Sequence, residues 1–336
     1  MKLFIYEHIT SGALINTALP ASLEREGNMM LHAIVEDFLQ IADIEIIILR
    51  DGRLSNMTIT NPALKTLHID SEHAFQKAYN TTKQQADFIL PIAPETDGIL
   101  FEIQHSILTE KGKSLGSQSN AIAISADKYQ CYQVLQAHSI STPLSIIASE
   151  WPLLKFTSPN GYIVKPRDGA GCVDTLFFPN QSALSFWLTK QGNHLDQMII
   201  QPYFVGTSIS FSLLCSELGA SVLSINHQHV SEKQGTLSFS GCTVNSVDIS
   251  ELTIEQATLL AQKVHQAVNG LWGFIGIDVV ITDSDVMVVD INPRLTTSYI
   301  GLHESLQTNP AQLLLTMMNT NTLPIISHRQ SVEVLL

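Results

Sequence analysis

Residues 273–294, Gly-Phe-Ile-Gly-Ile-Asp-Val-Val-Ile-Thr-Asp-Ser-Asp-Val-Met-Val-Val-Asp-Ile-Asn-Pro-Arg, contain two apolar runs separated by a polar turn, and each run is interrupted by an acid. Such runs read as paired strands, and a turn at 282–285 makes them a hairpin. In a hairpin Asp278 and Asp290 can lie near one another, and Asn292 shares the face of Asp290 because side chains alternate along a strand. Two carboxylates and an amide oxygen suit magnesium, a hard ion that takes oxygen ligands and keeps places for phosphate oxygens; manganese is compatible with the same donors. One strand-end acid alone would not carry this meaning. Three oxygen donors followed by Pro293 and Arg294 do.

The rest of the chain must supply a frame for that hairpin. At 336 residues with 45% hydrophobic residues, the chain can bury more than one core, and two or three domains are expected. The formal net charge of −13 opposes binding to phosphate backbones or anionic lipid, so no nucleic-acid partner is expected. The opening apolar stretch meets Glu7 and His8 too soon for a signal-peptide core, and no apolar run reaches the roughly 18 residues of a membrane span. Cys131, Cys172, Cys215 and Cys242 are widely spaced with no CxxC pair, which suggests neither a zinc knuckle nor a disulfide framework. A cytoplasmic protein without a membrane partner is the simplest expectation, and a homo-oligomer is compatible with it.

Residues 2–6 and 44–49 read as buried strands, and Met30, Ile34 and Phe38 with Leu31, Val35 and Leu39 repeat at helical spacing between them. With a strand at 88–92 and a helix at 98–112, this predicts an α/β domain over 1–116. An α+β module over 117–199 follows, with a helix near 128–138, a strand ending at Lys165, a glycine-containing turn, a strand at 174–178 and a helix over 182–192. The block 200–336 alternates long strands with helices. Thr253-Ile254-Glu255-Gln256 fits a capping box for a helix over 254–269 with Gly270 as its stop, and Asn309 caps a helix from Pro310. Segments 12–22 and 229–246, rich in small and polar residues, are expected as mobile loops.

Three further segments carry chemistry. Residues 162–172 deliver Lys165 from a strand into a turn containing Gly169, Ala170 and Gly171, whose backbone N–H groups can approach phosphate oxygens. Taken alone it could be a surface turn, and it is neither a Walker loop nor a Rossmann fingerprint. Lys128 stands in the first turn of a helix. The strand 199–202 breaks at Gln201-Pro202-Tyr203-Phe204 into a connector whose backbone can face adenine.

In this order the segments resemble the ATP-grasp family over roughly 117–300, with an upstream α/β domain of the kind the family also carries. The resemblance implies that Lys128 and Lys165 contact nucleotide phosphates and that Gly169, Ala170 and Gly171 form the lid over them. It also implies that Gln201, Tyr203 and Phe204 form the adenine hinge, that Asp278, Asp290 and Asn292 hold magnesium, and that Arg294 steadies an acyl phosphate. Three positions depart from the family pattern. Ser208 replaces the acid that often holds the ribose, Gly276 replaces an arginine of the D-alanine:D-alanine ligases, and Asp290 stands where glutamate is commoner. Tyr6-Glu7 to Ser11-Gly12, Leu23 to Met30, Ala93 to Gly98, Leu223 to Gln228 and Asn292 to Ser298 resemble the tyramine:glutamate ligase branch, which serves the biosynthesis of methanofuran and a related one-carbon carrier, methylofuran.

What the resemblance implies is an ADP-forming ligase that activates a carboxylate, glutamate in this branch, as an acyl phosphate and couples it to an amine such as tyramine or tyrosine. Magnesium and the lysines would neutralise the phosphates, and the planar fork of Arg294 suits an acyl phosphate or oxyanion. Glu7, Glu26 and Glu95 are candidates to orient an ammonium group, and His227, beside His229, is a candidate at the acceptor; each could also be an ordinary structural residue. The competing readings are an ATP-grasp kinase acting on an alcohol and an ATP-binding regulatory module without turnover.

Overall fold

The computed structural model describes the 336 residues apart from 111, 170–172, 193 and 247–251. Strand β1 (Lys2–Glu7) sends alternate side chains to two different cores. Leu3 and Ile5 pack against Met30, Ile34 and Phe38 of helix α1 (Ala21–Leu39), while Phe4 and Tyr6 meet Phe75, Tyr79 and Ile107 on the other face. Helices on both faces explain why the strands read as unbroken apolar runs. β1 lies between β2 (Glu45–Asp51) and β4 (Phe88–Ile92), and β3 (Leu64–Ile69) flanks β2, giving a parallel sheet of order β3-β2-β1-β4. Helices α2 (Glu72–Gln85) and α3 (Ile99–Thr109) complete this layer. The sequence pattern does not announce β3 or α2, and burial gives the reason: β3 is a half-exposed edge strand and α2 buries only a narrow stripe.

Helices α4 (Ser119–Ala126) and α5 (Lys128–Ala137) meet at Asp127, which ends the first and caps the second by accepting from Tyr129 N and Gln130 N. A small lobe follows, with β5 (Ile146–Ile147), α6 (Trp151–Leu154), β6 (Tyr162–Pro166), β7 (Leu176–Phe178), α7 (Gln181–Leu188) and β8 (Met198–Pro202). Its core holds Trp151, Tyr162, Val164, Leu184 and Ile200. Strand β8 crosses the boundary expected at 199/200 and pairs with β6 and β5 of this lobe.

The large lobe has β9 (Thr207–Ser216), β10 (Gly219–Lys233), β11 (Thr236–Val244), α8 (Ile254–Ala267), β12 (Gly273–Ile281) and β13 (Val286–Asn292). Helices α9 (Tyr299–Leu306) and α10 (Pro310–Thr320) and strand β14 (Val332–Leu335) close the chain. Among the described residues one ten-stranded sheet runs β13-β12-β9-β10-β11-β7-β6-β8-β5, with β14 pairing β11. The Thr253 capping box forms in both directions, and Asn309 accepts from Gln312 N behind Pro310. Helix α8 ends at Ala267, three residues before Gly270, whose φ of +98° suits glycine.

Two loop expectations need correction. Residues 229–246 are not a loop: they are mostly the arms of the β10–β11 hairpin, which pairs from His227↔Thr243 to Lys233↔Thr236. In Val230-Ser231-Glu232 and Leu237-Ser238-Phe239, small polar residues alternate with larger ones, and the polar half hides the strand period. Segment 12–22 is loop only until α1 starts at Ala21, and Arg53 holds it by donating to Thr17 O (2.7 Å) and Leu14 O (2.8 Å). Among the described residues no helix is long and apolar enough to cross a membrane, and Cys131, Cys215 and Cys242 are buried free thiols.

Candidate active site

Strands β12 and β13 put Asp278 directly opposite Asp290, and the register shifts immediately afterwards, between Asp278 and Val279. Asn292, opposite Gly276, donates from Nδ2 to Asp278 Oδ2 (3.1 Å), and Gln228 of β10 donates from Nε2 to Oδ1 (2.8 Å). Burial, reinforced by the Asp290 charge, pushes the Asp278 carboxyl up to about 6 against these amide bonds and the Lys128 charge. Two carboxylates facing one another across a strand pair repel unless a cation comes between or beside them.

Lys128 reaches Asp290 from the first turn of α5, with Nζ 2.7 Å from Oδ2. Burial presses its ammonium down, but the Asp290 charge and hydrogen bond outweigh that and the net shift is upward. The backbone fixes this lysine locally: Lys128 N donates to Arg167 O (2.8 Å), while the Arg167 side chain pairs with the Asp127 cap. The turn after β6 and the start of α5 are therefore one unit. Asp168 in that turn accepts from Asp97 N (3.1 Å), which ties it to the parallel-sheet domain.

Arg294, just after β13, holds Glu95 with both prongs of its fork, Nε to Oε1 at 2.9 Å and Nη2 to Oε2 at 3.0 Å. Its Nη1 donates to Leu295 O (3.1 Å). The residue expected at the acyl phosphate is thus steered by an acid from the upstream domain.

One cavity of about 350 Å³ joins these groups to the small lobe. Its wall carries Lys128, Lys165, Gly169, Gln201, Tyr203, Phe204, Ser208, Asp278, Asp290, Asn292 and Arg294, together with Glu26 of α1. Ala170 and Gly171 lie outside the described residues. At the small-lobe end Gln201 Nε2 donates to Ser145 Oγ (2.7 Å), and the Tyr203 ring packs edge-on to Phe177 at 4.9 Å. The remaining candidates lie off the wall. Glu7 folds back on its own chain, accepting from Ile9 N, Thr10 N and Thr10 Oγ1, and Glu95 is engaged by Arg294. His227 stacks edge-on against His229, which is bonded to Thr243.

Gln228 and the hairpin residues Val230, Leu237 and Phe239 also line the cavity, and sequence reasoning gave them no role. The period-two spacing of Gln228, Val230 and Glu232, and of Leu237 and Phe239, is the signal that identifies a wall.

The donor set fits a hard divalent cation. Among the described residues no group of three His, Cys, Asp or Glu gathers as a metal site, so the two facing carboxylates need completion by an oxygen such as that of Asn292. Asp278 and Asp290, facing one another across the strand pair, are the two acids such a cation would meet.

A parallel α/β domain, a two-lobed antiparallel sheet and this cleft between the lobes define a class. Residues 125–298 match the ATP-grasp domain and residues 44–122 the pre ATP-grasp 3 domain, and the chain belongs to the ATP-grasp family of ADP-forming C–N ligases, which bind ATP and join a carboxylate to an amine. Among individual proteins, the chain is similar to the tyramine–L-glutamate ligase of Methanocaldococcus fervens, with 28% identity over 300 residues, covering 88% of this chain and 87% of that one. A structure from Archaeoglobus fulgidus described as an ATP-grasp superfamily member superposes with a TM-score of 0.72 at 23% identity, covering 98% of this chain and 91% of that one. The L-amino acid ligase of Bacillus licheniformis gives 0.63 at 14% identity, covering 94% and 73%.

Proposed function

We propose that the protein joins glutamate to an aromatic amine, tyramine or a tyrosine-like molecule, through an acyl phosphate formed with ATP. The observation that carries the ligase chemistry is the convergence of Asp278, Asp290, Asn292, Lys128, Lys165 and Arg294 on one cavity. The 28% identity to a tyramine–L-glutamate ligase supports the choice of substrates. On this reading the amide is a building block for a methanofuran-type one-carbon carrier.

An unactivated carboxylate does not acylate an amine because hydroxide is a poor leaving group. A carboxylate oxygen therefore attacks the γ-phosphorus, ADP departs, the neutral amine nitrogen attacks the acyl carbon, and phosphate leaves as the amide forms, the nitrogen's proton passing to the departing phosphate or to water. Lys128 and Lys165 present ammonium groups to the transferring phosphoryl group. Arg294, held by Glu95 through Nε and Nη2, would steady the acyl phosphate and the oxyanion that follows with the N–H groups this pairing leaves over. Asp278, Asp290 and Asn292 would hold magnesium, which supplies positive charge to the β and γ phosphates. The hinge at Gln201, Tyr203 and Phe204 offers backbone groups to adenine, and Ser208 stands where a ribose contact would fall.

ADP release with glutamate and tyramine, followed by mass detection of the product, tests this reading. Release that needs both substrates and yields an amide is the expected result. Phosphorylated product without an amide would replace the ligase by a kinase. Greater release with another acid and amine would reject the substrates and leave the ligase class intact.

A further inference from the structure

The carboxylates on the cavity wall differ in what neutralises them. Asp290 has Lys128 at 2.7 Å, and Glu232 lies exposed at the hairpin tip, accepting from Gly235 N (2.6 Å). Asp278 meets two amide donors and belongs to the proposed cation site. Glu26 remains. Among the described residues its hydrogen-bonding partner is the neutral hydroxyl of Thr297. Arg294 is within electrostatic reach, but both prongs of its fork are held by Glu95.

Glu26 is also fixed in place. Its helix α1 is clamped to the large lobe about three turns further along, where Asp37 accepts from Tyr299 Oη (2.7 Å), contacts His303 Nδ1, and receives Asn309 Nδ2 on its carbonyl (2.8 Å). A half-buried carboxylate held on a rigid helix at a cavity wall, with one neutral donor, is an acceptor for a cation. The hairpin side of the same cavity carries apolar residues. Cys242, at the root of the hairpin, lies within electrostatic reach of Glu26 and Asp278, and Val230, Leu237 and Phe239 extend the wall along the hairpin.

We propose that Glu26 binds the ammonium group of the acceptor amine while the apolar face of the β10–β11 hairpin receives the amine's ring, an inference that rests on the ligase reading above. The chemistry recognised is a primary ammonium on an apolar body. An ammonium is also carried by an amino-acid donor, and the apolar wall favours the acceptor as its source.

The test is calorimetric binding to the full chain with magnesium and a non-hydrolysable ATP analogue. Tyramine is compared with tyrosol, its neutral hydroxyl counterpart, and L-glutamate with glutarate. Wild-type protein is expected to prefer tyramine to tyrosol by about tenfold or more, the scale of one charge-assisted hydrogen bond. Glu26→Gln should abolish that preference and leave affinity for the ATP analogue unchanged, which also reports a folded site. Thr297→Val, which keeps the carboxylate, should retain the preference. An unchanged preference in Glu26→Gln, or equal binding of tyramine and tyrosol by the wild type, overturns the proposal. A loss confined to the glutamate and glutarate pair overturns the assignment to the acceptor. If the wild type prefers tyramine yet forms no amide from glutamate, the choice of glutamate as the acid fails while the subsite stands.

Discussion

Glu7, buried at the end of β1, and Asp278, half-buried in β12, are strand carboxyls both pushed upward by loss of water, yet they are satisfied in opposite ways. Glu7 accepts from Ile9 N, Thr10 N and Thr10 Oγ1, all within three residues of itself. Its acceptor capacity is closed by its own turn, and α1 seals it: a Cβ on Gly27 would come within 2.7 Å of its Oε1. Asp278 instead faces Asp290 across the sheet and is bonded by side chains from two other positions, Gln228 and Asn292. A carboxylate satisfied by adjacent backbone organises the chain. One set opposite another carboxylate, and bonded by side chains from other strands, organises a cavity wall.

That contrast can be broken by substitution. Asp278→Asn should cut turnover by roughly 100-fold or more, because a proposed magnesium ligand is lost. The same change relieves the repulsion with Asp290, so the thermal midpoint should hold or rise. Retained turnover with a lowered midpoint would make Asp278 a structural acid like Glu7.

Gln228→Leu sharpens the comparison, since it removes one orienting donor and leaves both acids. The magnesium concentration for half-maximal activity should rise by about tenfold, as for other groups that orient metal ligands. An unchanged magnesium requirement would separate Gln228 from the site. Glu7→Gln should have the smallest effect on catalysis. It turns an amide N–H toward backbone donors and should lower stability by about 1–3 kcal/mol in urea titration, with kcat/KM of the folded enzyme unchanged. A drop in kcat/KM at constant stability would return Glu7 to the substrate site.

The β12–β13 hairpin and the placing of Lys128 and Lys165 on the cavity wall were legible because their local pattern is distinctive: acids inside apolar strands, and a lysine at a strand or helix end. The upstream acids were not. Glu7, Glu26 and Glu95 look alike as residues near strand ends or helix starts, and what separates them is long-range: Arg294 claims Glu95 across 199 residues and Thr297 meets Glu26 across 271. The β10–β11 hairpin was hidden for a different reason, as alternate serines along its arms resemble loop composition. Edge strand β3 lacked a buried run for the same physical reason, half-exposure.

Where the two lobes meet, the sheet is joined among the described residues by the register pair Thr236↔Leu176, with Leu237 N donating to Thr175 O (3.1 Å) and Phe177 N to Gly235 O (2.8 Å). Mechanically this is a rivet. The β10–β11 arm is rooted in the large lobe beside Asp278, through Gln228, and pinned at its tip to the strand that leaves the glycine-containing turn. A rotation of the small lobe therefore loads the arm as a lever, and the load arrives at the residue bonded to the proposed cation site. Slack at the rivet would free the arm from the small lobe, whereas an intact one transmits the position of one lobe to the wall of the other.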